Sequence, residues 1–199
     1  MTIQEKPVKT ICVYCSSSQN LEHTYVDAAV QVGHLIAKRG HALVYGGTRI
    51  GLMGAVSRTA KSEGAAVTGI VPAYIRSKVE DCEDAEALIV TPDMRARKAQ
   101  MEQLADAFLA LPGGFGTLEE LMEILTLKQL GLVTKPLVLL NTQGFYQPLL
   151  QFFDKMYQER FARRQYEGLY QIADEPTEAL EAIEALWADQ NAVVVSKWG

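Results

Sequence analysis

Cysteine and histidine are scarce, three of each in 199 residues, and each scarcity closes off chemistry. Cys12, Cys15 and Cys82 are too few and odd in number to frame a disulfide scaffold, and they suit a reducing cytoplasm, where the chain is expected. His23, His34 and His41 form neither an HExxH nor a paired arrangement, so no metal centre is expected. No apolar run comes near the roughly 18 residues that suggest a membrane span, and the opening MTIQEKPVKT has no signal-peptide core. Positive charge is not in excess either. The net charge of −5 argues against a nucleic-acid binder, which needs clustered basic surface. A small anion remains open, because one helix N-terminus and an arginine can hold a phosphate in an acidic protein.

Familiar catalytic motifs are also missing. No glycine leads into Lys-Ser or Lys-Thr in a P-loop frame, and the spacing of Gly114 and Gly116 fails GxGxxG because Glu119 stands where the third glycine belongs. ATP hydrolysis and NAD binding both lose ground, and no cofactor is expected. No serine sits in GxSxG. Cys12-x-x-Cys15 has a redox spacing but lies in and at the end of a strand, whereas a thioredoxin-type pair belongs at a helix N-terminus.

What the chain has is alternation. Apolar residues make up 48 %, enough for a packed domain. Strands are predicted over 8–15, 41–47, 65–72, 87–91, 107–114 and 135–141, with helices over 21–38, 52–62, 92–105, 117–130, 146–160 and 177–189. Leu21, Tyr25, Val32, Leu35 and Ile36 fall largely on one face of the first helix, and Gly40 stands where a helix stops. Residues 73–85 are charge-rich and lack periodicity, which predicts a loop with room for one helical turn. Strands alternating with helices imply βαβ units, and continuous apolar strands such as PLVLL fit burial on both faces. The expectation is a single doubly wound, Rossmann-like α/β domain over 1–199: a parallel sheet flanked by helices, with flexible ends at 1–7 and 192–199.

In such folds ligands bind beyond the carboxyl ends of the strands, which directs attention to three turns. After the fifth strand, AFLALPGGFGTLEE runs through Gly113, Gly114 and Gly116 into a helix at Thr117. Glycines let backbone N–H groups approach a ligand, and the helix start adds unpaired donors suited to phosphate. The same residues also make a tight strand-to-helix turn with no ligand. After the second strand, Gly46 and Gly47 open GGTRIGLMG, read either as ligand approach or as packing alone. CSSSQN after the first strand offers Ser16, Ser17 and Ser18, with Ser17 the candidate ligand contact. Arg97 and Lys98, early in the fourth predicted helix, either meet an anion or sit on a solvated face. Of Glu119 and Glu120, about 100° apart on a helix, one can face a ligand while the other serves as a capping charge.

PGGFGTLEE matches the PGGxGTxxE signature of the LOG family, GGTRIGLMG is similar to that family's second glycine motif, and MRARK resembles its MHxRK segment. The likeness runs from ICVYCSSS through PLVLLN. It implies a Rossmann-like fold, a homodimer, and cleavage of N6-substituted adenosine 5′-monophosphates into free base and ribose 5-phosphate. The same resemblance implies that Gly113, Gly114, Gly116 and Thr117 hold the phosphate and that Arg97 and Glu120 form the catalytic pair. Lys98, Glu119 and Thr126 would sit near the nucleotide. Three departures bear on substrate preference: Arg95 replaces the histidine of MHxRK, CSSS replaces the usual CGSS, and residues 72–86 are unlike the family. Relatives often carry a lysine decarboxylase label, which would require pyridoxal phosphate; no lysine here has a recognisable context for that cofactor. Two other readings are a nucleotide or molybdenum-cofactor carrier on the same fold and a hydrolase of plain AMP.

Overall fold

The short apolar runs, dense in Val, Ile and Leu, form strands because their side chains can be buried on both faces of a parallel sheet. The computed structural model describes residues 8–76 and 87–189, so the expectations for residues 1–7, 77–86 and 192–199 fall outside the described residues. Among the described residues there are seven strands: β1 (Thr10–Tyr14), β2 (Ala42–Tyr45), β3 (Val67–Pro72), β4 (Ala87–Thr91), β5 (Ala107–Ala110), β6 (Leu137–Leu140) and β7 (Gln171–Ala173). Between and after them lie α1 (His23–Lys38), α2 (Gly51–Ser62), α3 (Ala73–Arg76), α4 (Met94–Leu104), α5 (Phe115–Gln129), α6 (Gln147–Gln158) and α7 (Pro176–Ala188).

The strand order is β4-β3-β2-β1-β5-β6-β7, and every neighbouring pair is parallel. The chain winds outward from β1 through β4, then crosses back to β5 on the other side of β1. The loops after β1 and β5 therefore diverge around a crevice, the switch point at which such sheets bind ligands. This is the doubly wound parallel sheet, flanked by helices, that the pattern predicts.

Two apolar cores cover the two faces. On one, Val32 and Ile36 of α1, Val56 of α2 and Leu180 of α7 pack against Ile11, Val13 and Leu43. On the other, Met101 of α4, Leu121 and Ile124 of α5 and Phe153 of α6 pack against Cys12, Phe108 and Leu139. Each face thus receives alternate side chains of the same strands.

Differences from the predicted elements are local. The turn allowed within 73–85 is α3, four residues long. A seventh strand, QIA, is too short for any periodicity to reveal and pairs with β6 in parallel register. Helix α5 begins at Phe115 rather than Thr117, because Gly114 supplies the extended residue before the helix and Gly116 is already helical.

Candidate active site

Helix α4 is started by Asp93, whose side chain accepts the Ala96 N–H at 2.8 Å. That cap fixes the first turn of α4 beneath the end of β3 and aims Arg97 inward. Arg97 is only 6 % exposed: its Nε donates to the Ile70 carbonyl at 3.0 Å, and Nη1 donates to Glu120 Oε1 at 3.2 Å. The reading of Arg97 as part of a solvated basic face is therefore replaced by a buried, directed guanidinium. Gly46 makes room for it, since a Cβ there would collide with Arg97 Nη2.

Glu120 stands on the second turn of α5 and is 4 % exposed. Burial pushes its carboxyl up to about 7, with the attraction of Arg97 working against the rise. A carboxylate poised near neutrality holds both protonation states at working pH, as an acid–base group requires. Burial pushes the Cys12 and Cys15 thiols up as well, so they remain neutral and are poor nucleophiles.

Arg97 and Glu120 form part of the wall of a cavity of about 210 Å³ at the carboxyl end of the sheet. Gly114, Gly116 and Thr117 line it from the start of α5, and Ser16, Ser17 and Ser18 line it from the loop after β1. No side chain caps the N-terminus of α5. Its first N–H groups and positive dipole end lie beside this cavity, an arrangement suited to an anion. Thr117 folds its side chain over Gly113, where a Cβ would strike it. Gly113 itself borders an adjoining apolar cavity of about 230 Å³, together with Leu21, Tyr25, Leu52 and Phe145.

The predicted residues thus divide. Arg97, Glu120, Gly114, Gly116, Thr117, Gly46 and Ser17 meet at one cavity. Gly47 turns with φ +76° and lies against the Ile70 backbone instead. Lys98, Glu119 and Thr126 do not line the cavity. Lys98 pairs with Glu119 and Glu123 on the outer side of α5, and the Thr126 hydroxyl donates to the Met122 carbonyl at 2.7 Å. Helical geometry explains the split, because Glu119 and Thr126 project from α5 in directions other than that of Glu120.

Thr48, Met53 and Ile75 also line the cavity without having been singled out as site residues. Thr48 and Met53 were within reach of the strand-end rule, since both lie in the GGTRIGLMG turn. Ile75 belongs to α3, in the segment that differs from the LOG pattern. Among the described residues, no group of three or more His, Cys, Asp and Glu side chains could hold a metal ion. Nor is any helix of the described residues long and apolar enough to cross a membrane.

A family model described as "possible lysine decarboxylase" matches residues 53–183, which include the glycine-rich start of α5. A probable cytokinin riboside 5′-monophosphate phosphoribohydrolase of Oryza sativa subsp. japonica is 40 % identical over 197 residues, covering 99 % of this chain and 80 % of that protein. A cytokinin riboside 5′-monophosphate phosphoribohydrolase of Arabidopsis thaliana is 45 % identical over 160 residues, covering 80 % of this chain and 74 % of its own length. Among solved structures, the molybdenum cofactor carrier protein of Chlamydomonas reinhardtii shares the fold with a TM-score of 0.73 at 24 % identity, over 92 % of this chain and all of that one. The molybdenum cofactor binding protein of Rippkaea orientalis gives 0.68 at 28 % identity, over 91 % and 98 % of the two chains. Read together with the motifs on β2, α4 and α5, these matches place the chain in the LOG family of phosphoribohydrolases.

Proposed function

We propose that this protein hydrolyses the N-glycosidic bond of a purine nucleoside 5′-monophosphate, with an N6-substituted adenine as the favoured base, releasing free base and ribose 5-phosphate. The observation that carries the reading is the buried Arg97–Glu120 pair in a cavity wall one helical turn from the uncapped start of α5. The 5′-phosphate takes the N–H groups around Gly114, Gly116 and Thr117, with Gly113 shaping the turn and Ser17 facing it across the crevice. The ribose then lies over Glu120. As the base departs, the sugar gains oxocarbenium character, and the ionised Glu120 steadies that charge and orients the attacking water. The water forms the new bond to the anomeric carbon and passes a proton to Glu120, while the glycosidic electron pair leaves with the base, which takes up that proton as it departs and returns Glu120 to its ionised form. Arg97 holds Glu120 in place through Nη1 and is itself held by the Ile70 carbonyl.

The decarboxylase description does not fit this cavity. Pyridoxal phosphate would need a lysine amine to hold its aldehyde, and no lysine is among the described residues that line it. The carrier reading rests on likeness of fold at 24–28 % identity, whereas the phosphoribohydrolases reach 40–45 % over comparable or shorter spans.

The test is chromatography of the purified protein incubated with AMP or N6-isopentenyl AMP, alongside Glu120→Gln. Free base is expected from the wild type, more from the substituted nucleotide, and none from the variant. Intact nucleotide in every tube despite measurable binding would install the carrier reading in its place.

We further propose a homodimer built on α5. Phe115 and Met122, seven residues apart and so on one helical face, are 92 % and 37 % exposed. Light scattering should give twice the chain mass; a monomer at micromolar concentration would rule the dimer out.

A further inference from the structure

The cavity beside Glu120 has two unlike walls. The loops after β1 and β5 bring three serine hydroxyls and the open N–H groups of α5, which suit an anion. The loops after β2 and β3 bring Thr48, Met53 and Ile75, and Thr48 carries the one hydroxyl of that wall among the described residues. β2 lies two strands from β5, and β3 lies three. At about 4.8 Å per strand this is roughly 10–14 Å, comparable with the reach of a nucleotide from its phosphate to the far edge of its base. With the phosphate at α5 and the ribose over Glu120, the exocyclic edge of the base comes to Thr48.

Met53 decides what Thr48 offers there. The Thr48 hydroxyl donates to Met53 Sδ at 3.3 Å. That sulfur is well held: the Met53 N–H donates to the Ser16 carbonyl at 3.2 Å, and the buried side chain packs against Gly46, where a Cβ would crowd it. A hydroxyl has one proton and two lone pairs. With its proton committed to sulfur, Thr48 Oγ1 is left as an acceptor, and no donor among the described residues reaches it.

We propose that Thr48 is a specificity-determining residue, whose hydroxyl oxygen accepts the N–H at C6 of the purine and so selects 6-amino over 6-oxo bases. An amino nitrogen with one substituent keeps one N–H, so the same acceptor serves AMP and its N6-substituted derivatives. A 6-oxo base presents an acceptor instead. It meets a lone pair, or draws the hydroxyl proton away from Met53 at the expense of that contact.

The proposal rests on the nucleotide orientation of the hydrolase reading but needs no turnover, so binding tests it. Calorimetry in a Glu120→Gln background compares AMP, inosine 5′-monophosphate and purine riboside 5′-monophosphate, which carries only hydrogen at C6. AMP should bind about ten-fold more tightly than either of the others. Adding Thr48→Val keeps the shape and removes the oxygen, and should bring AMP within about two-fold of the purine riboside nucleotide. Thr48→Ser should preserve the gap. Met53→Leu frees the hydroxyl proton and should tighten the inosine nucleotide while leaving AMP as it was. An equal loss for all three nucleotides in Thr48→Val would make Thr48 a sugar or phosphate contact and overturn the proposal. So would an AMP preference that survives Thr48→Val, or no such preference at the outset. If circular dichroism shows Thr48→Val unfolded, Thr48→Ala decides in its place. Absence of free base from the wild type, with the AMP preference intact and lost in Thr48→Val, would defeat the hydrolase reading and leave Thr48 assigned.

Discussion

Each end of the sheet holds an arginine against a glutamate, and the two settings differ. At the carboxyl edge, Arg97 and Glu120 are buried yet face a cavity. At the amino edge, Arg39 Nη1 meets Glu184 Oε2 at 2.7 Å, and Glu184 Oε1 lies 3.0 Å from His41 Nε2. Trp187 stands edge-on to the His41 ring and donates to the Asp106 carbonyl at 3.1 Å, while the Asp106 carboxylate accepts the Thr10 N–H at 2.8 Å. Both oxygens of Glu184 are engaged by protein, and the network fastens α7 across the starts of β1, β2 and β5. Charge at the amino edge closes the fold. At the carboxyl edge the carboxylate is held where burial disfavours its ionised form, a cost that makes sense for a group with work to do on a ligand.

The largest expected effect breaks the comparison at its active end. Arg97→Ala should lower kcat roughly 100-fold or more if the guanidinium supports charge in the transition state, with the far-UV circular dichroism unchanged. An unaltered rate would make Arg97 a structural residue like Arg39 and erase the distinction between the two ends.

Much of this arrangement was legible in the residues. Six of the seven strands announce themselves as apolar runs, and the turn after β5 reads as a ligand site from three glycines followed by a helix. The separation of Glu119 from Glu120 follows from the 100° step of a helix. Other features depend on distance in the chain. Arg97 and Glu120 are 23 residues apart, and their contact exists because the chain crosses back from β4 to β5, which no local pattern encodes. MRARK is a strongly polar stretch, so its burial at Arg97 could not be read from periodicity. The Glu184 contacts of the amino-edge network join residues 143 and 145 apart, and nothing in the sequence pairs Glu184 with Arg39 or His41. β7 is three residues long and owes its place to β6 alongside rather than to its own pattern.

The smaller effect sharpens the comparison by making one chemical change at both ends. Glu120 titrates at 4.5 in the absence of the fold and at about 7 within it, so the folded protein accepts the neutral acid and resists the anion. Its contribution to stability is fully present below about pH 4.5 and is lost as pH rises through about 7, a loss of about 3 kcal/mol at most by pH 8. Glu120→Gln keeps the neutral shape at every pH. At pH 8 it should therefore melt above the wild type, by about 1–3 kcal/mol or several degrees, and the gap should close as pH approaches 4.5. Glu184→Gln should act in the opposite sense, costing about 1–2 kcal/mol because Arg39 and His41 lose a shared charged acceptor, with turnover unaffected. Thermal melts of both variants at pH 5 and pH 8 read the two signs directly. If Glu120→Gln instead melts below the wild type at pH 8, its carboxylate stabilises the fold as Glu184 does, and the burial cost ascribed to the ionised Glu120 is not there.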